Sequence, residues 1–271
     1  MKEKAIYMST VEVKVLDKAL FIISVFFEKD EFSLKELEER TKLNRSTIYR
    51  ILQVFLKWNF LEQDPSTKRY KLSIKILEMS SSVLRKISFL NVCRPYLLGL
   101  RDKTGESSFL AVLDGLNIVV VDWEPSYYNA QINITVGKTV PAHCTAAGKA
   151  IIASLPAEGR EALIENMVMK KYTENTIIDK AVLRHELNIT AERGYAISKG
   201  EYDNYIVVVS APIFDIHNRV IASCAIAALE SRVKGDTQIE EYGSIVRNAT
   251  LEISRKLGAT LNNSVDKFVN L

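Results

Sequence analysis

Two runs, "YIVVVSAPIF" (205–214) and "VIASCAIAAL" (220–229), are apolar almost without interruption and flank the turn Asp215–Arg219. A strand with one wet face alternates apolar and polar residues, whereas a near-continuous apolar strand has both faces covered. The pair therefore implies a sheet covered on both faces, and the neighbouring sequence carries helical segments. "TAAGKAIIASL" (145–155) and "KAVLRHELNITAER" have helical spacing, the latter stopping at Gly194, and residues 237–258 form a closing amphipathic helix. Pro95 lies within or near a further short helix that ends at Gly105. "SSFLAVL", Asp114-Gly115-Leu116-Asn117 and "IVVVDWE" read as a hairpin, because β-branched runs flank an Asp-Gly turn. The fold class is α+β, with a central antiparallel sheet in the C-terminal part.

The N-terminal third follows a different pattern. Residues 12–29 read as a helix that is apolar around much of its circumference. The surplus around Leu16, Leu20, Ile23 and Phe27 exceeds what one small domain can cover, so it is expected in a dimer interface. Ser33 caps "LKELEERT", and Glu36 completes a capping box. After the short turn Lys42-Leu43-Asn44, Asn44 caps a second helix. Its Ile48, Ile51, Leu52, Phe55 and Leu56 share one face, while Ser46, Arg50, Gln53 and Lys57 lie opposite and Arg45 and Thr47 sit at its start. Helix, short turn and helix is the helix-turn-helix arrangement, whose second helix enters the major groove. "FLEQD" and "KRYKLS" around Asp64-Pro65-Ser66-Thr67 make a β-wing with Lys68 and Arg69 at its tip. Ser46, Thr47, Arg50 and Gln53 are expected to read base edges of double-stranded DNA. Arg45, Lys68 and Arg69 are expected to hold phosphate, with Ser33 and Tyr49 completing the interface.

Charge agrees with this division. Residues 1–90 hold 17 Lys+Arg against 12 Asp+Glu, a surplus of +5, while the remainder holds 19 against 21. The polyanion-binding part is thus the N-terminal one. Residues 74–90 carry a helical stripe with no Gly or Pro, which predicts a helical linker. The expected organisation is a winged helix-turn-helix over 11–74, a linker helix over 75–90, an effector domain over 91–260 and a tail over 261–271.

Cys93, Cys144 and Cys224 are far apart and form no CxxC pair, so a reducing cytoplasm is expected and no disulfide framework. Met1-Lys2-Glu3-Lys4 precedes no continuous apolar run, so no signal peptide is expected, and no apolar stretch is long enough to span a bilayer. His143-Cys144 could be read as a nucleophilic pair, but sequence neighbours rarely face each other and no third group supports them. His143 with Cys224 lacks metal-ligand spacing. Gly148-Lys149 resembles the end of a phosphate loop, yet His143 stands where that motif needs its first glycine. No enzyme activity, cofactor or metal is expected.

"KLNRSTIYRIL…FLEQDPSTKRYKLS", "RPYLLGLRDKTGE", "VPAHCTAAGKAIIASL", "RGYAISKGE", "VVSAPIFDIHNRVIA" and "ISRKLG" together resemble the IclR-type transcriptional regulators, from about Val11 to Gly258. The resemblance implies a winged helix-turn-helix, a linker helix and a GAF/PAS-like effector domain. It also implies a homodimer or dimer of dimers on a palindromic operator, acting more often as a repressor. Position by position, it places Ala146 and Ala147 at the backbone that receives an effector carboxylate, and Ser198, Tyr205, Val208, Ala225 and Ala227 around it. Relatives often carry an acidic residue, Gly, Cys, Ser and Ser at those last five positions. The loss of hydroxyls and a thiol favours a larger carboxylate with an apolar or aromatic body over a small keto acid. Two other readings stay open: an enzyme acting on a small carboxylate, and a DNA-binding protein that ignores small molecules.

Overall fold

The computed structural model describes residues 13–84, 89–130 and 132–260, and the chain divides into two compact units, residues 1–87 and 88–271. The first contains α1 (Lys14–Val25), β1 (Glu31–Phe32), α2 (Leu34–Thr41), α3 (Arg45–Lys57), β2 (Leu61–Gln63), β3 (Tyr70–Leu72) and α4 (Lys75–Leu84). Its core joins Ile22, Val25 and Phe26 to Leu37, Ile48, Leu52, Leu61 and Tyr70. The helix predicted over 12–29 stops at Val25, where Phe26 turns inward to meet Phe32 edge-on at 5.4 Å. At α2 the capping box forms: Ser33 Oγ accepts from Glu36 N, and Glu36 Oε2 accepts from Ser33 N at 2.7 Å. Lys42 adopts a left-handed φ of 57° in the turn, and Asn44 Oδ1 accepts from Thr47 N at 2.9 Å to start α3. The wing is a three-stranded sheet in the order β1-β3-β2. β1 was not predicted, because two residues cannot display an alternation. The linker helix predicted over 74–90 is only partly seen: α4 covers its first part, residues 85–88 lie outside the described residues, and helix resumes at Leu90. The tail 261–271 also lies outside the described residues.

The second unit is built on a six-stranded antiparallel sheet. Its strands are β4 (Ser107–Asp114), β5 (Asn117–Glu124), β6 (Thr139–Pro141), β7 (Ala196–Lys199), β8 (Ile206–Phe214) and β9 (Val220–Leu229), in the order β6-β5-β4-β9-β8-β7. The Asp-Gly hairpin is β4–β5, with Asp114 opposite Asn117 and Gly115 at φ 58°. β8 is buried without a break from Val209 to Phe214 and β9 from Ala222 to Ala228, as strands covered on both faces must be. One cover is α5 (Leu90–Thr104) with α9 (Asp236–Lys256); the other is α6 (Ala146–Ala153) with α8 (Lys180–Arg193), Val208 packing on Ala146 and Ala150. α5 ends at Gly105 (φ 74°) and α8 at Gly194 (φ 79°), both where predicted. β6 and α7 (Ala157–Asn166) were not predicted; "AEGREALIEN" buries only Ile164 and has no apolar stripe to reveal it.

All eight residues of α6 are buried, and Gly148 is what lets the helix sit so deep. A Cβ built there would lie 2.2 Å from the carbonyl oxygen and 2.5 Å from Cα of Ala142, both backbone atoms that cannot swing aside. Gly148→Ala is therefore expected to destabilise by about 1–3 kcal/mol through overpacking, overriding its gain in helix propensity. Gly99→Ala, in the middle of α5 with no heavy atom within 4 Å of the new methyl group, is expected to stabilise by up to about 1 kcal/mol. Urea unfolding of the two variants beside the parent chain checks the opposite signs.

Candidate functional site

In the first unit, Arg45, Ser46, Tyr49, Arg50 and Gln53 are exposed along α3 while Ile48, Ile51 and Leu52 are buried on the opposite face. Thr47 is half-buried, its N–H committed to Asn44, and Ser46 Oγ donates to the same Asn44 Oδ1 at 3.0 Å. Among the described residues no carboxylate lies within ion-pairing distance of Arg45, Arg50, Lys57 or Lys68. Asp64 shapes the wing turn, Oδ1 accepting from Ser66 N and Thr67 N at 2.8 Å each; the Ser66 hydroxyl and then these two N–H groups hold its carboxyl well below the usual range. Lys68 follows in the left-handed region at φ 58°, exposed.

Arg69 does not share that exposure. It lies just before β3 and reaches α2, where Nη2 donates to Glu36 Oε2 at 2.7 Å and Nε lies 2.6 Å from Glu31 Oε1. A guanidinium held between two carboxylates is occupied, so the phosphate role expected of Arg69 does not match its surroundings. Ser33 lies at the start of α2 with its hydroxyl used in the capping box.

In the second unit a cavity of about 90 Å³ opens over the start of α6. Ala146 and Ala147 form its floor, and Ser198, Val208 and Ala227 line it. Thr145 caps α6 by accepting from Gly148 N at 3.2 Å. The N–H groups of Ala146 and Ala147 belong to the helix's first turn, which has no intrahelical acceptors, so they are suited to an anion. Two expected residues are placed differently. Tyr205 is 74% exposed at φ 65° and lies outside the lining, because its turn directs it to solvent. Ala225 is fully buried two residues along the same face of β9 as Ala227, paired with Phe109 and below the lining. The sequence did not disclose the other walls: Phe109, Ile118, Val120 and Val140 from the sheet, Ile132, Ile134 and Lys138 from the loop before β6, and Tyr202 and Asp203 from the turn after β7. The strand residues have the same signature as any core position. Lys138 and Asp203 sit in aperiodic loops, where nothing but the fold brings them to one cavity.

His143 and Cys144 do not form a catalytic pair. Nε2 of His143 meets the Lys170 carbonyl at 3.1 Å, its ring tilts against Tyr172, and burial lowers its pKa. Burial pushes the Cys144 thiol up to about 12, so it carries no thiolate at neutral pH. No group of three or more His, Cys, Asp or Glu able to hold a metal exists among the described residues, and none of their helices is long and apolar enough to cross a membrane. Beneath the cavity floor lies a buried charge pair: Lys149 Nζ is 2.6 Å from Glu201 Oε1.

The family model for the IclR helix-turn-helix domain matches residues 15–65, and that for the bacterial transcriptional regulator IclR C-terminal region matches residues 81–255. The chain is 28% identical over 247 residues to the HTH-type transcriptional regulator XynR of Escherichia coli, covering 91% of this chain and 98% of that one. It is similar to the crystal structure of the Thermotoga maritima IclR at 29% identity and a TM-score of 0.75, covering 90% of this chain and 99% of that one. It shares its fold with an IclR homologue from Microbacterium hydrocarbonoxydans crystallised with 4-hydroxybenzoate, at 20% identity and a TM-score of 0.74 over 90% of this chain and 98% of that one.

The two basic wing residues should separate in experiment. Lys68→Ala is expected to lower the slope of log affinity for DNA against log salt by roughly one, since one phosphate neutralisation is lost. Arg69→Gln is expected to leave that slope unchanged while lowering the melting temperature, because it breaks the contacts to Glu31 and Glu36. Fluorescence anisotropy across a salt series, with a thermal melt of each variant, measures both.

Proposed function

Because the chain belongs to the IclR family of bacterial transcriptional regulators, we propose that it represses target genes by placing α3 in the major groove of a palindromic operator. In this account a carboxylate bound over the start of α6 tunes its hold on DNA. Residues 11–74 act on DNA, 75–90 connect and 91–260 hold the effector. The observation that carries the DNA role is the line of exposed, uncompensated cations on α3 and the wing. Arg50 reaches a guanine edge or a phosphate, Ser46, Thr47, Tyr49 and Gln53 flank it, and Arg45 with Lys68 grips the backbone. Arg69 instead props the wing against α2, and Ser33 contributes as the cap of α2.

The exposed apolar side chains of α1, Leu16 at 53% and Leu20 at 57%, with Phe27 at 74% just after it, support a homodimer. A two-fold protein would then present two α3 helices to half-sites spaced by whole turns of DNA. The largely apolar cavity favours an aromatic or apolar body, and the α6 start with Lys138 favours a carboxylate. The 4-hydroxybenzoate held by the Microbacterium homologue is of that class. Membership of a family of DNA-binding regulators supports a role without turnover, in the cytoplasm with the DNA it binds.

Selection of binding sites from random DNA in the presence of competitor should return a palindrome. Arg50→Ala is expected to weaken binding to it by about 1–3 kcal/mol with the fold intact. 4-Hydroxybenzoate or a related aromatic acid should change operator affinity about 5- to 150-fold. Equal binding to every sequence, or an unchanged affinity in the Arg50 variant, would remove α3 from the groove.

A further inference from the structure

Lys149 is 1% exposed and is the largest fully buried side chain among the described residues. Its ammonium lies 2.6 Å from Glu201 Oε1 and 3.6 Å from Glu186 Oε1, and Arg193 Nη2 stands 3.8 Å behind that Glu186 oxygen. The other Glu201 oxygen, Oε2, is buried and accepts no hydrogen bond of normal geometry among the described residues, although the Ser198 hydroxyl stands close enough to favour the ionised carboxylate. An ion pair buried in place of apolar residues gains little stability, and an unpartnered carboxylate oxygen adds a cost. Stability alone gives no account of the arrangement.

Its position does. Ala146 and Ala147, within one turn of Lys149, are the cavity floor, while Ser198, Tyr202 and Asp203, on either side of Glu201 in sequence, form a wall. The main chain at Glu201 is pinned: Thr173 Oγ1 donates to the Gly200 carbonyl and Thr176 Oγ1 to the Glu201 carbonyl, each at 2.6 Å. The Lys149–Glu201 bridge therefore sets the distance between the helix start and the wall. Oε2 remains as a buried acceptor on the same carboxylate.

We propose that Lys149 and Glu201 are the positioning pair of the effector site, and that an anionic effector enters together with one proton, which Glu201 takes up on Oε2. The proposal rests on the effector-binding assignment above. Lys149 is already shared by two carboxylates, so an anion arriving at the start of α6 meets an ionised Glu201 of like sign across the buried floor. A proton drawn from solvent removes that repulsion and returns to solvent when the effector leaves; no other bond changes. The groups facing Glu201 are Lys149 of α6, Glu186 of α8, Ser198 of β7 and Cys144 before α6, with Arg193 behind Glu186. Burial already raises the Glu201 carboxyl above its ordinary value, with Lys149 opposing, and the anion raises it further. The proton is thus held more tightly in the complex than in the free protein. Affinity must fall as pH rises through the interval between the two Glu201 values, by up to about tenfold per pH unit.

The test is calorimetric titration of the full-length chain with benzoate and with 4-hydroxybenzoate from about pH 5 to 8, in buffers of differing ionisation enthalpy. The expected result is a falling affinity with close to one proton absorbed, a flat profile with no proton absorbed in Glu201→Gln, and a retained slope in Glu186→Gln. Lys149→Met should weaken both ligands at every pH, and Lys149→Arg should recover part of the loss. A slope that survives in Glu201→Gln, or one that vanishes in His143→Gln instead, overturns the proton step. So does pH-independent binding by the parent chain, which leaves effector binding itself standing. A parent chain that holds its operator but binds neither acid refutes the aromatic-acid assignment, and the positioning pair falls with it.

Discussion

The C-terminal unit is organised around a helix with no wet face, and one of the residues in that helix is a lysine. A fully buried α6 must have its ammonium met inside the protein, because an isolated buried charge costs far more than a fold of this size can absorb. Glu201 and Glu186 meet it, and they come from the turn after β7 and from α8, so the demand of one side chain ties three elements together. Gly148 supplies the other half of the arrangement by admitting the Ala142 backbone to a distance that no Cβ allows. The cavity at the start of α6 is walled by the strands on which the helix lies.

Charge placement governs the N-terminal unit in a comparable way. Glu36 caps α2, receives Lys29 and Arg69, and is held well below the usual carboxylate range, first by Lys29 and then by the Ser33 cap and Arg69. Glu31 adds a second contact to Arg69. These carboxylates brace the wing against α2, and among the described residues no carboxylate pairs with the cations of α3. The cationic face of α3 depends as much on where the acids are engaged as on where the arginines are. That separation of sign is what a DNA-facing surface requires, and it is invisible in a net charge of only +3.

The elements legible in the sequence were those whose physics is local. Caps at Ser33 and Asn44, stops at Gly105 and Gly194, the Asp-Gly hairpin and the unbroken apolar strands each announce themselves within a few residues. β1 and β6 were too short to show a period, and α7 too polar. The cavity was half legible. Its floor is a helix start, which has a sequence signature, but Lys138 and Asp203 enter from loops with none. Arg69 shows the limit from the other side: a basic residue at a wing tip looks like its neighbour Lys68 until the two acids across from it are known.

Lys149 shows the same limit within a motif. Gly148-Lys149 invites a phosphate-loop reading, in which the ammonium reaches out to a ligand; in the fold it points away from solvent, to carboxylates. The glycine is needed for close backbone packing and the lysine for internal charge balance, so the same two residue types answer to two different constraints. This matters for regulation, because a ligand changes DNA affinity only by binding one state of the protein better than another. A cavity floor held by covalent geometry alone would offer little difference between states. A floor held by a charge bridge with an unpartnered oxygen responds to an arriving anion, since the electrostatic field that keeps the helix start and the wall in register is the one the anion perturbs.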